Sequence, residues 1–262
     1  MSIICPLFSG STGNSTYIAN ENTGILVDAG ASCKAIGESL FRVGSELSNI
    51  KAIFITHEHI DHIKGLKTVL KKTNAELYAS KETLEVLASN DIIPVGTKAF
   101  EISDKAVLVN GVLVNRFATS HDCIGSSGYT FTLSDDKKIS VCTDLGVITE
   151  TVSNALNGSD IVLLESNHDV ERLKKGPYPP QLKVRIMSDK GHISNSVCAS
   201  ELKKLLQNGC QRFILGHLSQ ENNTPNLARS TVESALIDIG AREGVDYLLK
   251  VASPKGNGVM TL

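Results

Sequence analysis

Four residues of kinds that bind metal ions crowd one short stretch of the chain: His57, His59, Asp61 and His62, within "AIFITHEHIDHIKGL". The chain has seven histidines, and three of them fall in these six residues. Residues 51–56 are apolar and β-branched, which predicts a buried strand ending at Thr56. His57 and His59, two apart in a segment still extended, point the same way. Asp61 and His62 enter the first turn of a following helix, so all four side chains can meet at one place. Neutral imidazole and carboxylate are ligands that borderline and harder divalent cations accept. One tetrahedral ion does not take four ligands from so short a segment. Two adjacent ions fit better.

A second ion needs ligands from elsewhere, also at strand ends. His121 closes "VNRFATSH", Asp144 closes "KISVCTD" and His217 closes "RFILGH", each an apolar run followed by a ligand type. Two cations about 3.5–4 Å apart can share a hydroxide and clamp a phosphoryl group between them. Asp61, beside that hydroxide, would orient it or take its remaining proton. His192, in "SDKGHIS", would give the leaving alkoxide a proton or a charge partner. Asn167 and His168 leave the strand "DIVLLES", and they either touch substrate or satisfy loop groups. The stretch "VERLKKGPYPPQLKVRI" carries Arg172, Lys174, Lys175, Lys183 and Arg185 against one acid, Glu171. A basic patch with an aromatic suits phosphate contact and base stacking, which singles out Tyr178 and Arg185; a solvated loop and helix start is the plainer reading. The loop "SGSTGNS" reads as a tight turn between strands. It lacks the lysine of a phosphate-binding P-loop.

Positioning these residues takes a particular order of elements. Short strands at "IICPLF", "STYIA" and "GILVDAG" come first, then a helix over about 32–43, the strand "KAIFIT" and a helix over roughly 63–72. A strand at "AELYAS" and a helix near 81–89 follow. Strands at "AVLVNGVLVNRFATSH", "SGYTFTLS" and "KISVCTD" occupy the middle, with Asn110-Gly111 as a hairpin turn. Helices then alternate with strands at "DIVLLES", "RFILGH", 246–251 and 258–262. Two β-rich halves, each followed by helices, suit two stacked sheets covered by helices better than a doubly wound parallel sheet. No linker divides the chain, so residues 1–262 read as one domain.

Composition narrows the function further. Hydrophobic content of 41% with 21% charged residues is that of an ordinary globular chain of 262 residues. A net charge of −2 offers no global basic field, which argues against a protein that merely coats nucleic acid. No apolar run reaches the roughly 18 residues of a membrane span. The first residues lack the basic and apolar regions of a secretory signal. Six cysteines without a CxxC pair or disulfide spacing point to reduced thiols, no disulfide-linked partner and a cytoplasmic location.

The ordered set HxHxDH, His121, Asp144 and His217 resembles that of metallo-β-lactamase-fold hydrolases, in particular their binuclear phosphodiesterases. Further stretches, "SGSTGNST", "THEHIDH", "LLESNHD", "GPYPPQLKVRI", "SDKGHISN" and "LGHLSQENN", resemble the bacterial YycJ or WalJ subfamily, regarded as 5′-to-3′ DNA exonucleases. The resemblance implies an α/β chain folded as a four-layer αββα sandwich. It implies two divalent cations, Zn²⁺ or Mn²⁺ with Fe as a further option. His57, His59 and His121 would hold one ion, Asp61, His62 and His217 the other, and Asp144 would bridge them. "LVDAG" matches the same family and places Asp28 behind the histidine loop as its support. His192 matches a histidine that contacts phosphate in tRNA 3′-processing enzymes of this fold. The implied substrate is DNA; a small phosphodiester or a thioester is the alternative. Oligomeric state is not legible.

Overall fold

The computed structural model describes residues 2–20, 23–256 and 259–261. Among these, the strands form two seven-stranded sheets. The first holds β1 (Ile3–Phe8), β2 (Ser15–Ala19), β3 (Gly24–Val27), β4 (Ile50–Phe54), β5 (Glu76–Ala79) and β6 (Ala99–Glu101), side by side in chain order. The second holds β7 (Val107–Val109), β8 (Val112–Ala118), β9 (Ser127–Thr132), β10 (Lys138–Cys142), β11 (Ile161–Glu165), β12 (Arg212–Gly216) and β13 (Leu248–Val251), again in chain order. β14 (Met260–Thr261) returns to pair with β1.

Each sheet begins with antiparallel pairs and turns parallel midway. β1–β3 are antiparallel and β3–β6 parallel. β7–β10 are antiparallel and β10–β13 parallel. Parallel strands need crossovers, and helices supply them: α1 (Cys33–Arg42), α2 (Ile60–Ile63), α3 (Leu66–Lys72) and α4 (Lys81–Ser89) in the first half. In the second half these are α5 (Glu150–Leu156), α6 (Val170–Lys175), α7 (Pro180–Ile186), α8 (Asn195–Gln207) and α9 (Pro225–Ile237).

Burial divides the core into three layers of side chains. Between the sheets, Phe54 stands edge-on to Tyr129 and Phe131, with ring centres 5.3 Å apart in both pairs. Ile36, Leu40, Val69 and Leu87 seat α1, α3 and α4 on the outer face of the first sheet. Val152, Leu202, Leu205 and Val232 seat α5, α8 and α9 on the second. Each large apolar side chain so buried contributes about 1.5–3 kcal/mol. Strands covered on both faces have little reason to alternate polar and apolar residues, and β11 is buried throughout. The expected αββα sandwich is the fold.

Four local readings differ. The helix over 63–72 is two pieces, α2 and α3, because Gly65 donates to the Ala29 carbonyl at 2.8 Å. A Cβ at Gly65 would stand 2.0 Å from the Ala31 carbonyl oxygen, so only glycine lets the segments approach. β6, "AFE", is exposed at a sheet edge and carries no apolar pattern to announce it. Residues 170–186 hold two short helices rather than a loop and a helix start. Of the strand read at 258–262, Met260 and Thr261 pair with β1, while residues 258 and 262 lie outside the described residues.

Candidate metal centre

The seven ligand types leave the sandwich at one end. His57 and His59 follow β4, Asp61 and His62 lie in α2, Asp144 stands two residues beyond β10, and His217 follows β12 directly. His121 is set in the loop after β8, three residues past the strand rather than at its tip. The fold brings all of them together. Ligand atoms lie within 4.8 Å of one another in the set His57, His59 and His121, in Asp61, His62 and His217, and in His57, His62 and Asp144. Asp144 is placed between the groups: Oδ2 is 3.3 Å from His62 Nε2, and Oδ1 is 3.4 Å from His217 Nε2 and 3.9 Å from His121 Nε2. Donor atoms around a tetrahedral ion with bonds of 2.0–2.1 Å stand roughly 3.3 Å apart. The shortest of these separations are of that size.

Hydrogen bonds behind the rings decide which nitrogens face inward. His62 Nδ1 lies 2.8 Å from Asp28 Oδ2, and a carboxylate only accepts, so Nδ1 carries the proton and donates. His217 Nδ1 donates to Glu165 Oε1 at 2.8 Å, and His121 Nδ1 to the Gly191 carbonyl at 3.1 Å. The Thr56 hydroxyl donates to Asp28 at 2.9 Å and accepts from His57 Nδ1 at 3.0 Å. All four rings therefore turn an Nε2 lone pair toward the centre. His57 Nε2, His217 Nε2 and Asp144 Oδ2 are buried and have no hydrogen-bond partner among the described residues. Converging acceptors without a donor fit a cation, and outer carboxylates that fix imidazole tautomers are the usual support of such sites. Asp28, which the family resemblance places behind the histidine loop, lies behind His62 and Thr56.

Electrostatics agree. Burial opposes charge on His62, but Asp144 and Asp28 raise its proton affinity to about 9. His217 is raised too, against burial, by Asp144, Asp61 and Glu165. His57 moves the other way, because burial and its neighbouring histidines disfavour a proton. Asp144 stays a carboxylate: burial works against it, but His217 and His62 hold its affinity down. The acids thus create a negative field that a proton or a divalent cation must neutralise.

The backbone is bent to make the centre. Asp28, Asp144 and His217 adopt left-handed φ values of 63°, 57° and 53°. Such conformations in residues other than glycine cost energy and gather at functional sites. Three loops are laced together beneath: Asn14 donates through its backbone to the Asp61 carbonyl at 2.7 Å, Gly30 to Asn14 at 2.8 Å and Ala29 to His62 at 2.8 Å. A Cβ on Gly30 would stand 1.7 Å from the Asp61 carbonyl oxygen. Gly30→Ala is therefore expected to destabilise the chain by roughly 3 kcal/mol, the upper end of overpacking costs. A urea-unfolding midpoint unchanged from wild type would contradict this.

Two residues the sequence reading passed over belong to the centre. Glu165, closing β11 and fully buried, accepts from His192 Nδ1 at 2.7 Å and from His217 Nδ1 at 2.8 Å. An acid ending an apolar strand was the available signal. Asn14, from the glycine-rich loop, sets its amide nitrogen 3.2 Å from Asp61 Oδ2 and 3.0 Å from His62 Nε2. Nothing in "SGSTGNS" announces that.

The outer residues are placed unevenly. His192 stands beside the centre, with Nδ1 3.8 Å from Asp144 Oδ1. His168 is buried close to Glu165 and His192, its Nδ1 without a partner among the described residues, and burial lowers its proton affinity. The Asn167 amide donates to the His217 carbonyl at 3.0 Å and so props that bent turn. Arg185 reaches the loop of His121, with Nε 2.5 Å from Asp122 Oδ2. Tyr178 is half-buried in the turn between α6 and α7.

Comparison with known proteins accords with this geometry. Residues 23–218 match the beta-lactamase superfamily domain. The chain is 35% identical over 252 residues to the exodeoxyribonuclease WalJ of Streptococcus pneumoniae serotype 2, strain D39, covering 95% of this chain and 93% of that one. It is 35% identical over 254 residues to the exodeoxyribonuclease YycJ of Bacillus anthracis, covering 95% and 94%. Among solved structures, the metallo-β-lactamase-fold protein YhfI of Bacillus subtilis superposes with a TM-score of 0.74 at 14% identity, over the whole of both chains. The chain belongs to the metallo-β-lactamase superfamily, and within it to the YycJ/WalJ-like proteins.

Proposed function

We propose that this protein is a metal-dependent DNA exonuclease that uses two divalent cations, zinc or manganese, and degrades DNA from 5′ to 3′ in the cytoplasm as one domain. The observation that carries the reading is Asp144 set between two groups of three ligand types, with lone pairs turned inward by the hydrogen bonds behind them. Kinship to two exodeoxyribonucleases over nearly the full chain supports DNA as substrate. His57, His59 and His121 would hold one cation, Asp61, His62 and His217 the other, and Asp144 both. When bound, the pair supplies a nucleophile that ionises near neutral pH and positive charge for the phosphoryl oxygens.

The remaining chemistry falls to the chain's own groups. Asp61 is partly open to solvent and held ionised: burial works against it, but His217 and His62 depress its proton affinity, and Asn14 donates to it. It can accept a hydrogen bond from an attacking water and so orient it; its depressed affinity makes it a weak base. His192 keeps its Nδ1 proton on Glu165, while Nε2 remains for a second proton. Burial opposes that proton, but Glu165 and Asp144 raise the ring's affinity for it. His192 is thereby suited to protonate the leaving oxygen. Arg185 of α7, which reaches Asp122 in the His121 loop, and Tyr178 between the helices suit backbone contact and stacking on a terminal base. His168 and Asn167 line the adjacent turn.

Metal-loaded protein is to be incubated with duplexes labelled at the 5′ or the 3′ end. Mononucleotides are expected from the 5′ end and from wild type only, with Asp144→Ala as the inactive control. Intact DNA in the presence of protein carrying both ions would sink the nuclease reading.

A further inference from the structure

His59 is held differently from the other ligand-type rings. Where His62, His121 and His217 donate backward through Nδ1, His59 has no Nδ1 partner among the described residues. Its Nε2 instead faces Asp122, whose Oδ1 is 3.7 Å away and also stands 3.3 Å from His121 Nε2. With Nε2 turned to that carboxylate, Nδ1 is the ring nitrogen left to take a cation. The separation is that of an ion pair rather than a hydrogen bond. A cation on Nδ1 makes the Nε2 proton a stronger donor and draws it toward the carboxylate.

The other oxygen of the same carboxylate holds Arg185. Arg185 Nε and a terminal nitrogen both stand 2.5 Å from Asp122 Oδ2. A guanidinium has five N–H donors, so most of them remain available to a phosphate. The Arg185 side chain is 57% exposed, which leaves that edge open. A cationic side chain beside a dication site would otherwise be repelled, and the charge on Asp122 offsets this. The Ser120 hydroxyl, from the same loop, donates to the Asp189 carbonyl just beyond α7.

We propose that Asp122 is a positioning residue with two tasks: through Oδ1 it braces His59 as a metal ligand, and through Oδ2 it fixes Arg185 where a backbone phosphate of the substrate meets it. This rests on reading the centre as the metal site of a nuclease. It couples the ligand loop to the basic helices, so that ion binding and DNA binding share one carboxylate.

The test separates the two tasks. Metal-free protein is titrated with Zn²⁺ against a chromophoric chelator, and KM and turnover are measured on end-labelled duplex. Asp122→Ala is expected to weaken one of the two ions by about 10–100-fold, the usual effect of losing such a brace. Asp122→Asn keeps an oxygen for His59 and is expected to bind both ions within about threefold of wild type. Arg185→Ala is expected to leave both ion affinities unchanged. KM is expected to rise about tenfold in Asp122→Ala and in Arg185→Ala, the effect of one charge-assisted contact, and no further in the double variant. Wild-type ion affinity in Asp122→Ala, or additive KM effects, would overturn the proposal. So would loss of an ion in Asp122→Asn, since the carboxylate would then be a ligand itself. Wild-type protein that binds both ions yet leaves DNA intact overturns the nuclease reading and the Arg185 task, while the titration still judges the bracing of His59.

Discussion

Asp144→Asn is expected to lower DNA hydrolysis by roughly 10³-fold, the upper end of what one preorganised electrostatic group contributes. Under the proposed two-ion centre, metal content should fall to one ion per chain or none, read by elemental analysis after dialysis. The argument is positional. The carboxylate is 2% exposed, and its oxygens together reach both groups: Oδ2 faces His62 at 3.3 Å, while Oδ1 faces His217 at 3.4 Å and His121 of the other group at 3.9 Å. An amide keeps the shape and half the acceptors, but it loses the charge. Its NH₂ would then point donors at lone pairs that the outer hydrogen bonds have cleared for a cation. Asparagine is the appropriate replacement because the position is left-handed, with φ at 57°. Asn tolerates that region, whereas a branched or bulky residue adds strain unrelated to the charge. A variant with both ions and wild-type turnover would remove Asp144 from the centre.

How much of this was legible depended on distance along the chain. The histidine loop announces itself because four ligand-type residues fall within six positions and follow an apolar strand. Asp144 and His217 follow the same rule, a ligand-type residue where a buried strand ends. Glu165 obeys that rule as well, at the end of β11, but an acid there is also how any strand meets solvent. What distinguishes it is that His192 and His217 converge on one of its oxygens, from 27 and 52 residues away. Asn14 is further from reach, since its partner Asp61 lies 47 residues on and the loop reads as a turn. Asp122 is masked by its neighbour His121 and gains meaning only when α7 brings Arg185 to it. The sandwich itself was legible from two β-rich halves followed by helices. Strand β6 was not, because an exposed three-residue edge has no burial to pattern its sequence.

Glu165→Gln is expected to be nearly as damaging as loss of Asp144, though Glu165 is itself set back behind the rings of His192 and His217. Oε1 accepts both of those Nδ1 protons, and Oε2 accepts the backbone protons of Leu145 at 3.3 Å and Ile193 at 3.2 Å. Four donors on one fully buried carboxylate leave no lone pair to spare. Burial alone would push its proton affinity up, yet His192 and His217 hold it well below the ordinary carboxylate range. Glutamine has one oxygen and one NH₂, so whichever way it turns, two donors face two more donors. If the rings lose, Nδ1 gives up its proton, Nε2 gains one, and His217 presents N–H instead of a lone pair to the centre. If the backbone loses, two buried N–H groups go unpaired at about 1–3 kcal/mol each. Metal affinity at the His217 position should fall about 10–100-fold, as when a residue behind a ligand is altered. Turnover should fall further than affinity, because His192 loses its orientation in the same step. The urea midpoint of the metal-free protein should drop too, by about 3 kcal/mol in stability, since a buried charge network has lost one partner. Saturating metal would then restore part of the stability and little of the rate. Full recovery of turnover at high metal would show that Glu165 acts on ion binding alone and that His192 takes its direction from elsewhere.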